Sequence, residues 1–132
     1  MAAFGGFLSG REAAKYMKKR QSGSIFFTGA TASLRGGSGF SAFASAKFAL
    51  RALSQSIARE LGPQGIHVAH FIIDGAIDTA FIKENFPEAY ALKEKDGILS
   101  PEKIADSYWF VHSQHRSAWT HELDLRPYME KF

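Results

Sequence analysis

The 132-residue chain contains no cysteine. That absence excludes a disulfide framework and any thiolate zinc site, and a reducing, cytoplasmic home is the simplest expectation. No run approaches the roughly 20 apolar residues that a membrane-spanning helix needs. The N-terminal stretch MAAFGGFLSGREAAKYMKKR has the wrong order for a secretory signal, since its cations follow a short apolar part instead of preceding it. The net charge is +3, and no aromatic-interleaved basic stripe accompanies it. Much of the excess is Lys15, Lys18, Lys19 and Arg20 at the end of one predicted helix, where cations complement the negative helix pole. Neither a nucleic-acid nor a membrane partner is expected. The hydrolase elbow G-x-S-x-G is missing, because GGSGF lacks the spacing. Internal repeats and low-complexity linkers are also missing, so residues 1–132 read as a single domain. A chain of that length buries roughly two thirds of its unfolded surface.

What remains is ordinary for a globular protein: 45% hydrophobic and 22% charged residues. Residues 7–20 read as a helix with Leu8, Ala14 and Met17 on a stripe, Phe7 and Ala13 beside it, and Ser9 as an early cap. Ser24 to Thr28, SIFFT, reads as a buried strand. Gly29 to Gly39 is a glycine-rich loop. A long helix is expected over about Ser41 to Leu61, with Phe43, Ala46, Leu50, Leu53, Ile57 and Leu61 on one apolar face and Ala44, Phe48 and Ala52 on another. Gly62-Pro63-Gln64-Gly65 stops it. IHVAHFII, residues 66–73, has the apolar richness of a strand covered on both faces. Asp74 to Leu99 lacks a period and reads as a long functional loop with one or two short helical turns. Ser100-Pro101 opens a helix running to about His112, and HELDL, residues 121–125, is a last strand. Helices alternating with short apolar strands imply an α/β fold: a three-layer, Rossmann-like arrangement of about three parallel strands flanked by helices.

In such a sheet, ligands bind at the carboxyl ends of the strands. Lys47 falls in the first two turns of the long helix, close to that edge. An ammonium among small apolar residues needs a partner or a path to water, so the position suits either a ligand contact or a stem lying over apolar surface. The histidines give no metal site. His67 and His70 are three apart on a strand and point to opposite faces, and no carboxylate motif supports His112 with His115. Asp74, Asp78 and Asp124 fit hydrogen-bonded structural roles at the sheet edge, and Trp109 and Trp119 fit core or interface positions.

Taken together in order, the strand SIFFT, the glycine-rich loop, FASAK, LGPQGIHV and DGAIDT resemble the short-chain dehydrogenase/reductase family. The resemblance runs from about Gly6 to Pro127 and matches the C-terminal half of that family's Rossmann-type domain. It implies NAD(P) as cofactor. The family's Tyr-x-x-x-Lys falls on Phe43 to Lys47, its catalytic serine on Ala30, and its Pro-Gly-x-Ile-x-Thr turn on Asp74 to Thr79. In the family the serine polarises the substrate carbonyl and the tyrosine donates the proton. The lysine lowers the tyrosine pKa and holds the nicotinamide ribose, and the threonine turn contacts the carboxamide. This chain keeps Lys47, Gly75, Ile77 and Thr79. It has Phe43 and Ala30 where the proton donor and the carbonyl polariser stand. Thr31 and Ser33 are nearby hydroxyls to stand in for the serine, and no tyrosine near position 43 replaces the donor. The dinucleotide site also needs a strand followed by a G-x-G-x-x-G turn, and GFLSGR has no strand before it.

Three readings stay open at this stage. The chain is a truncated relative with a degenerate Ser/Tyr pair, weak or inactive alone. Or it is the C-terminal part of an NAD(P)-dependent oxidoreductase whose nucleotide-binding half is not in this sequence. Or it is a non-catalytic binding or scaffold module. The helices at 7–20 and 41–61 resemble the family's dimer-forming pair, which implies a homo-oligomer.

Overall fold

A computed structural model describes residues 2–132. Three strands, β1 (Gly23–Ala30), β2 (Ile66–Ile73) and β3 (Glu122–Leu125), form one sheet in the order β1-β2-β3. Both pairings are parallel: Gly23 to Ala30 lie opposite Ile66 to Ile73, and His70 to Ile73 lie opposite Glu122 to Leu125. The expected α/β sheet of three parallel strands is therefore present. β2 is central and buried at every residue, as its continuous apolar run requires. β1 has one edge unpaired among the described residues.

Two layers of helix cover the sheet. On one face α1 (Ala2–Arg20) and α2 (Ser41–Leu61) pack over Ile25, Phe27, Ile66 and Val68, with Leu50 and Leu61 supplied by α2. On the other face α5 (Pro101–His112) supplies Val111, Ile104 and Tyr108 to a cluster with Phe71, Ala69 and Phe26. Each fully buried side chain of this kind contributes roughly 1.5–3 kcal/mol. The stretch from 74 to 99 holds two short helices, α3 (Ala80–Asn85) and α4 (Pro87–Tyr90), then a 3-10 turn at Ala91–Lys95. Ser100 caps α5 by accepting the Lys103 N–H, with Pro101 in the first position, as its sequence indicates.

Three local expectations need correction. α1 begins at Ala2, not residue 7, so Ser9 lies inside the helix and caps nothing. Gly6 and Gly10 let α1 approach its neighbours: a Cβ on Gly6 would stand 2.5 Å from Leu50 Cδ1, and one on Gly10 3.2 Å from Ile57 Cδ1 and Phe27 Cζ. The buried face of α2 is Ala44, Leu50, Ser54 and Leu61. Phe43 and Phe48, assigned to apolar faces, are 49% and 43% exposed. For Trp109, expected in the core or at an interface, exposure on α5 removes the core alternative, whereas Trp119 stacks on His67 at 4.6 Å.

Candidate functional site

The carboxyl ends of β1 and β2 bring the expected site residues to one edge, with Ala30 opposite Ile73 in the register. Lys47 reaches that edge from the second turn of α2. Its Nζ donates to the Thr28 carbonyl oxygen at 2.9 Å, and burial pushes its ammonium down from the ordinary lysine value. One of the three ammonium protons is taken by Thr28. The Phe43 ring sits one turn earlier with its centroid 5.9 Å from Nζ, within cation–π reach. Phe43 also lines a 230 Å³ cleft with Thr31, Arg35 and Phe40. No polar atom of residue 43 faces that cleft, because phenylalanine has none.

Neither hydroxyl near Ala30 is placed to act as the missing serine: burial keeps Ser33 from a ligand, and Thr31 gives its proton to Asp74. Ser33 is fully buried and its Oγ accepts the Ala30 N–H at 3.0 Å. Thr31 Oγ1 donates to Asp74 Oδ1 at 2.5 Å. Asp74, the first residue after β2, is fully buried and lies 3.6 Å from Arg35 and 3.4 Å from Arg126. Asp124 pairs with the same Arg126, and Asp78 with Lys93 at 2.8 Å. Each of the three acidic residues has a cation partner, the structural role expected of them.

The turn after β2 is set by packing. Gly75 has φ of 149°, and a Cβ there would meet Pro127 Cδ at 2.9 Å, so only glycine fits. Ile77 pairs with Leu99 through an isolated parallel bridge. Thr79 caps α3, its Oγ1 accepting the Ile82 N–H at 3.3 Å. The Thr79 hydroxyl proton remains available to a ligand.

Sequence reasoning missed a three-residue ionic set on the α2 face. Arg51 of α2 grips Glu122 of β3 bidentately, Nε to Oε2 at 2.9 Å and Nη2 to Oε1 at 2.7 Å, and the same Oε2 lies 3.0 Å from His70 Nδ1 on β2. A carboxylate only accepts, so His70 carries its proton on Nδ1 and presents a bare Nε2. That nitrogen is buried without a partner, against Gly29 and Ser33. Burial lowers the His70 pKa, opposed by Glu122. Burial raises the Glu122 carboxyl, but hydrogen bonds from Arg51 and His70 outweigh it and hold the group below the usual range. The one signal in the sequence was His70, one of two histidines inside an otherwise apolar strand. His67 faces α5 instead, so the two histidines diverge as strand spacing demands. No group of three metal-ligating side chains occurs among the described residues.

A profile of the short chain dehydrogenase family matches residues 1–89. A solved short-chain dehydrogenase from Rhodopseudomonas palustris aligns with 97% of this chain at 51% sequence identity and a TM-score of 0.74. The chain belongs to the short-chain dehydrogenase family. It covers 49% of the Rhodopseudomonas protein. A Melia azedarach relative, (21S)-21-acetoxyl-apo-melianone synthase SDR, is 32% identical over 115 residues, which is 81% of this chain and 42% of that protein. A 7α-hydroxysteroid dehydrogenase solved with NADH and 7-oxo glycochenodeoxycholic acid shares the fold at 23% identity, with a TM-score of 0.82 over 97% of this chain and 52% of its own. The chain thus spans about half the length of these relatives.

Family membership gives the geometry a test for the nicotinamide cofactor. Two unused Lys47 protons and the Thr79 hydroxyl, at the edge where the family binds its cofactor, fit the ribose and carboxamide end. GFLSGR does not fit a phosphate loop, because it lies inside α1. No helix is long and apolar enough to cross a membrane among the described residues.

Proposed function

We propose that this chain supplies the nicotinamide-side half of a short-chain dehydrogenase domain, and that its Ser/Tyr pair is degenerate. The observation that carries this reading is Phe43 one turn before an anchored Lys47. Ketone reduction needs a proton at the nascent alkoxide, and a positioned acid contributes about 10²- to 10⁴-fold. Phe43 has no acidic proton, Ala30 has no hydroxyl, Thr31 gives its proton to Asp74, and Ser33 is fully buried. Bound NAD(P)H would supply the hydride. Lys47 would hold the ribose, and Gly75, Ile77 and Thr79 would form the wall beside the carboxamide. The chain, folded as one domain, is weak or inactive alone under this proposal, and its lack of cysteine suits the cytoplasm.

The test is a paired substitution, Phe43→Tyr with Ala30→Ser, in a protein that also contains the nucleotide-binding half. Ketone reduction should appear, and should disappear again on Lys47→Met. Continued inactivity with cofactor bound would sink the lost-pair reading.

A second reading has its own support. The unpaired edge of β1 and the half-length match to relatives favour a working oxidoreductase whose nucleotide half lies on another segment or chain. Calorimetry of this chain with NADH and NADPH bears on both readings, since each expects no saturable binding until that half is added.

The exposed aromatic residues of α1 and α2 support a homo-oligomer formed through helices 7–20 and 41–61.

A further inference from the structure

Asp74 is a fully buried carboxylate at the carboxyl edge of the sheet. A buried charge without partners is strongly disfavoured, so its surroundings are informative. Its main chain is engaged as well: the Asp74 N–H donates to the Leu125 carbonyl oxygen at 2.8 Å. Proline, which the family pattern has at this position, could not make that bond.

The carboxylate's partners come from the ends of the two neighbouring strands. Thr31, in the 3-10 turn that follows β1, donates from Oγ1 to Asp74 Oδ1 at 2.5 Å. Arg126, the first residue after β3, donates from Nε to Asp74 Oδ2 at 3.4 Å and from Nη2 to Asp124. Arg35 stands 3.6 Å from Oδ1, beyond hydrogen-bond distance. The Phe132 ring lies over the Arg126 guanidinium, its centroid 3.6 Å from Cζ, and a stacked ring suits that planar group. One carboxylate therefore joins the ends of all three strands.

The stretch from Gly75 to Thr79 starts at this junction. Pro127 follows Arg126 directly, and its Cδ stands 2.9 Å from where a Gly75 Cβ would be. Holding Arg126 thus also holds the ring that packs on the turn. The turn is closed on its other side by two main-chain bonds, Leu99 N–H to the Ala76 oxygen at 2.8 Å and Asp78 N–H to the Leu99 oxygen at 2.9 Å. Apolar packing alone is non-directional. A guanidinium fork shared between two carboxylates adds direction.

We infer that Arg126 is a positioning residue: through Asp74 it fixes the Gly75–Thr79 turn against the nicotinamide carboxamide. The purpose rests on the nicotinamide-side reading proposed above, and the clamp itself rests on the Asp74 contacts. The clamp does by charge what a fixed φ does where the family pattern has proline.

Amide hydrogen exchange on this chain reads the clamp at Asp78 and Leu99. Arg126→Gln should speed both amides by about tenfold or more, the loss of one hydrogen bond to a charged group. Arg126→Lys keeps the charge without the fork and should fall between parent and Arg126→Gln, so it carries the same reading if the glutamine variant does not fold. Asp124→Asn leaves the Asp74 contact in place. It should stay within about threefold of the parent, because an exposed pair contributes little. Cofactor binding separates positioning from plain stability. In a protein that also contains the nucleotide-binding half, Arg126→Gln should weaken NADH by about tenfold and leave ADP-ribose, which lacks the nicotinamide, unchanged. Unchanged exchange at Asp78 and Leu99, an equal effect of Asp124→Asn, or equal weakening of NADH and ADP-ribose would each overturn the inference. A parent that binds NADH no better than ADP-ribose would instead sink the nicotinamide-side reading, and the exchange rates would still decide whether Arg126 holds the turn.

Discussion

Lys47 Nζ donates to the main-chain oxygen of Thr28 at 2.9 Å, tying the second turn of α2 to β1 near its carboxyl end. The bond explains how a cation persists in an Ala-rich helix without a carboxylate partner. It also orients the remaining ammonium protons. Lys47→Met keeps the apolar stem and loses this charge-assisted bond, so it should cost about 1–2 kcal/mol. Phe43→Tyr, at a half-exposed position, should stay within about 0.5 kcal/mol of the parent. Urea midpoints at constant slope separate the two. A neutral Lys47→Met would mean the bond carries no stability.

Acid should unfold this protein earlier than its carboxylates alone require. His70 and His67 both have folded-state pKa values lowered, chiefly by burial. The unfolded chain therefore binds protons that the folded one refuses. Their stabilising share is complete above about pH 6.5, the unfolded histidine value, and is lost as pH falls from there toward the folded values. Glu122, also lowered, adds a second loss below the ordinary carboxylate range of about 4.3. The unfolding midpoint should be flat just above neutrality and begin to fall near pH 6.5. Glu122→Gln should cost about 1–3 kcal/mol, because Arg51 and His70 both lose their acceptor charge. A midpoint flat down to pH 5 would contradict the protonation states assigned to the two histidines.

The back of the carboxyl edge tolerates no added atom at Gly29. A Cβ there would stand 2.4 Å from His70 Nε2 and 2.6 Å from Ser33 Oγ, and both neighbours are fully buried. Gly29→Ala should destabilise by about 1–3 kcal/mol, the range for overpacking. Gly36→Ala, with nothing within 4 Å of its Cβ, is the matched control and should be near neutral. Thermal denaturation of the pair reads the difference, and equal melting temperatures would show that the wall behind Gly29 yields.

Local signals carried much of the fold. Ser100 and Pro101 marked the start of α5, Gly62 to Gly65 the end of α2, and the apolar run 66–73 the buried central strand. What stayed hidden is decided between elements. The sequence pattern starts the first helix at residue 7, yet α1 runs from Ala2, and Gly6 matters because Leu50 of another helix fills its surface. The α2 periodicity allowed Phe43 on the core side, and packing put Ala44 there. The functional edge shows the same division. Phe43, Lys47, Gly75 and Thr79 were legible because the resemblance to the family rests on two short local stretches, FASAK and DGAIDT. The Arg51–Glu122–His70 set draws on three elements and has no spacing to read.

The last expectation concerns association. Phe4 and Phe7 on α1 are 66% and 45% exposed, and Phe43 and Phe48 on α2 remain uncovered as well. The unpaired edge of β1 adds main-chain donors and acceptors open to another strand. A monomer leaving this much aromatic surface in water forgoes burial of roughly 1.5–3 kcal/mol per large side chain. Light scattering at micromolar concentration should therefore report a dimer or larger. Phe48→Glu should shift the species toward monomer, because a charge buried at an interface without a partner is strongly disfavoured. The β1 edge makes a distinct contribution: if Phe48→Glu leaves the mass unchanged, assembly runs through that edge and the helix-pair interface is wrong. A monodisperse monomer of the parent chain would rule out both surfaces.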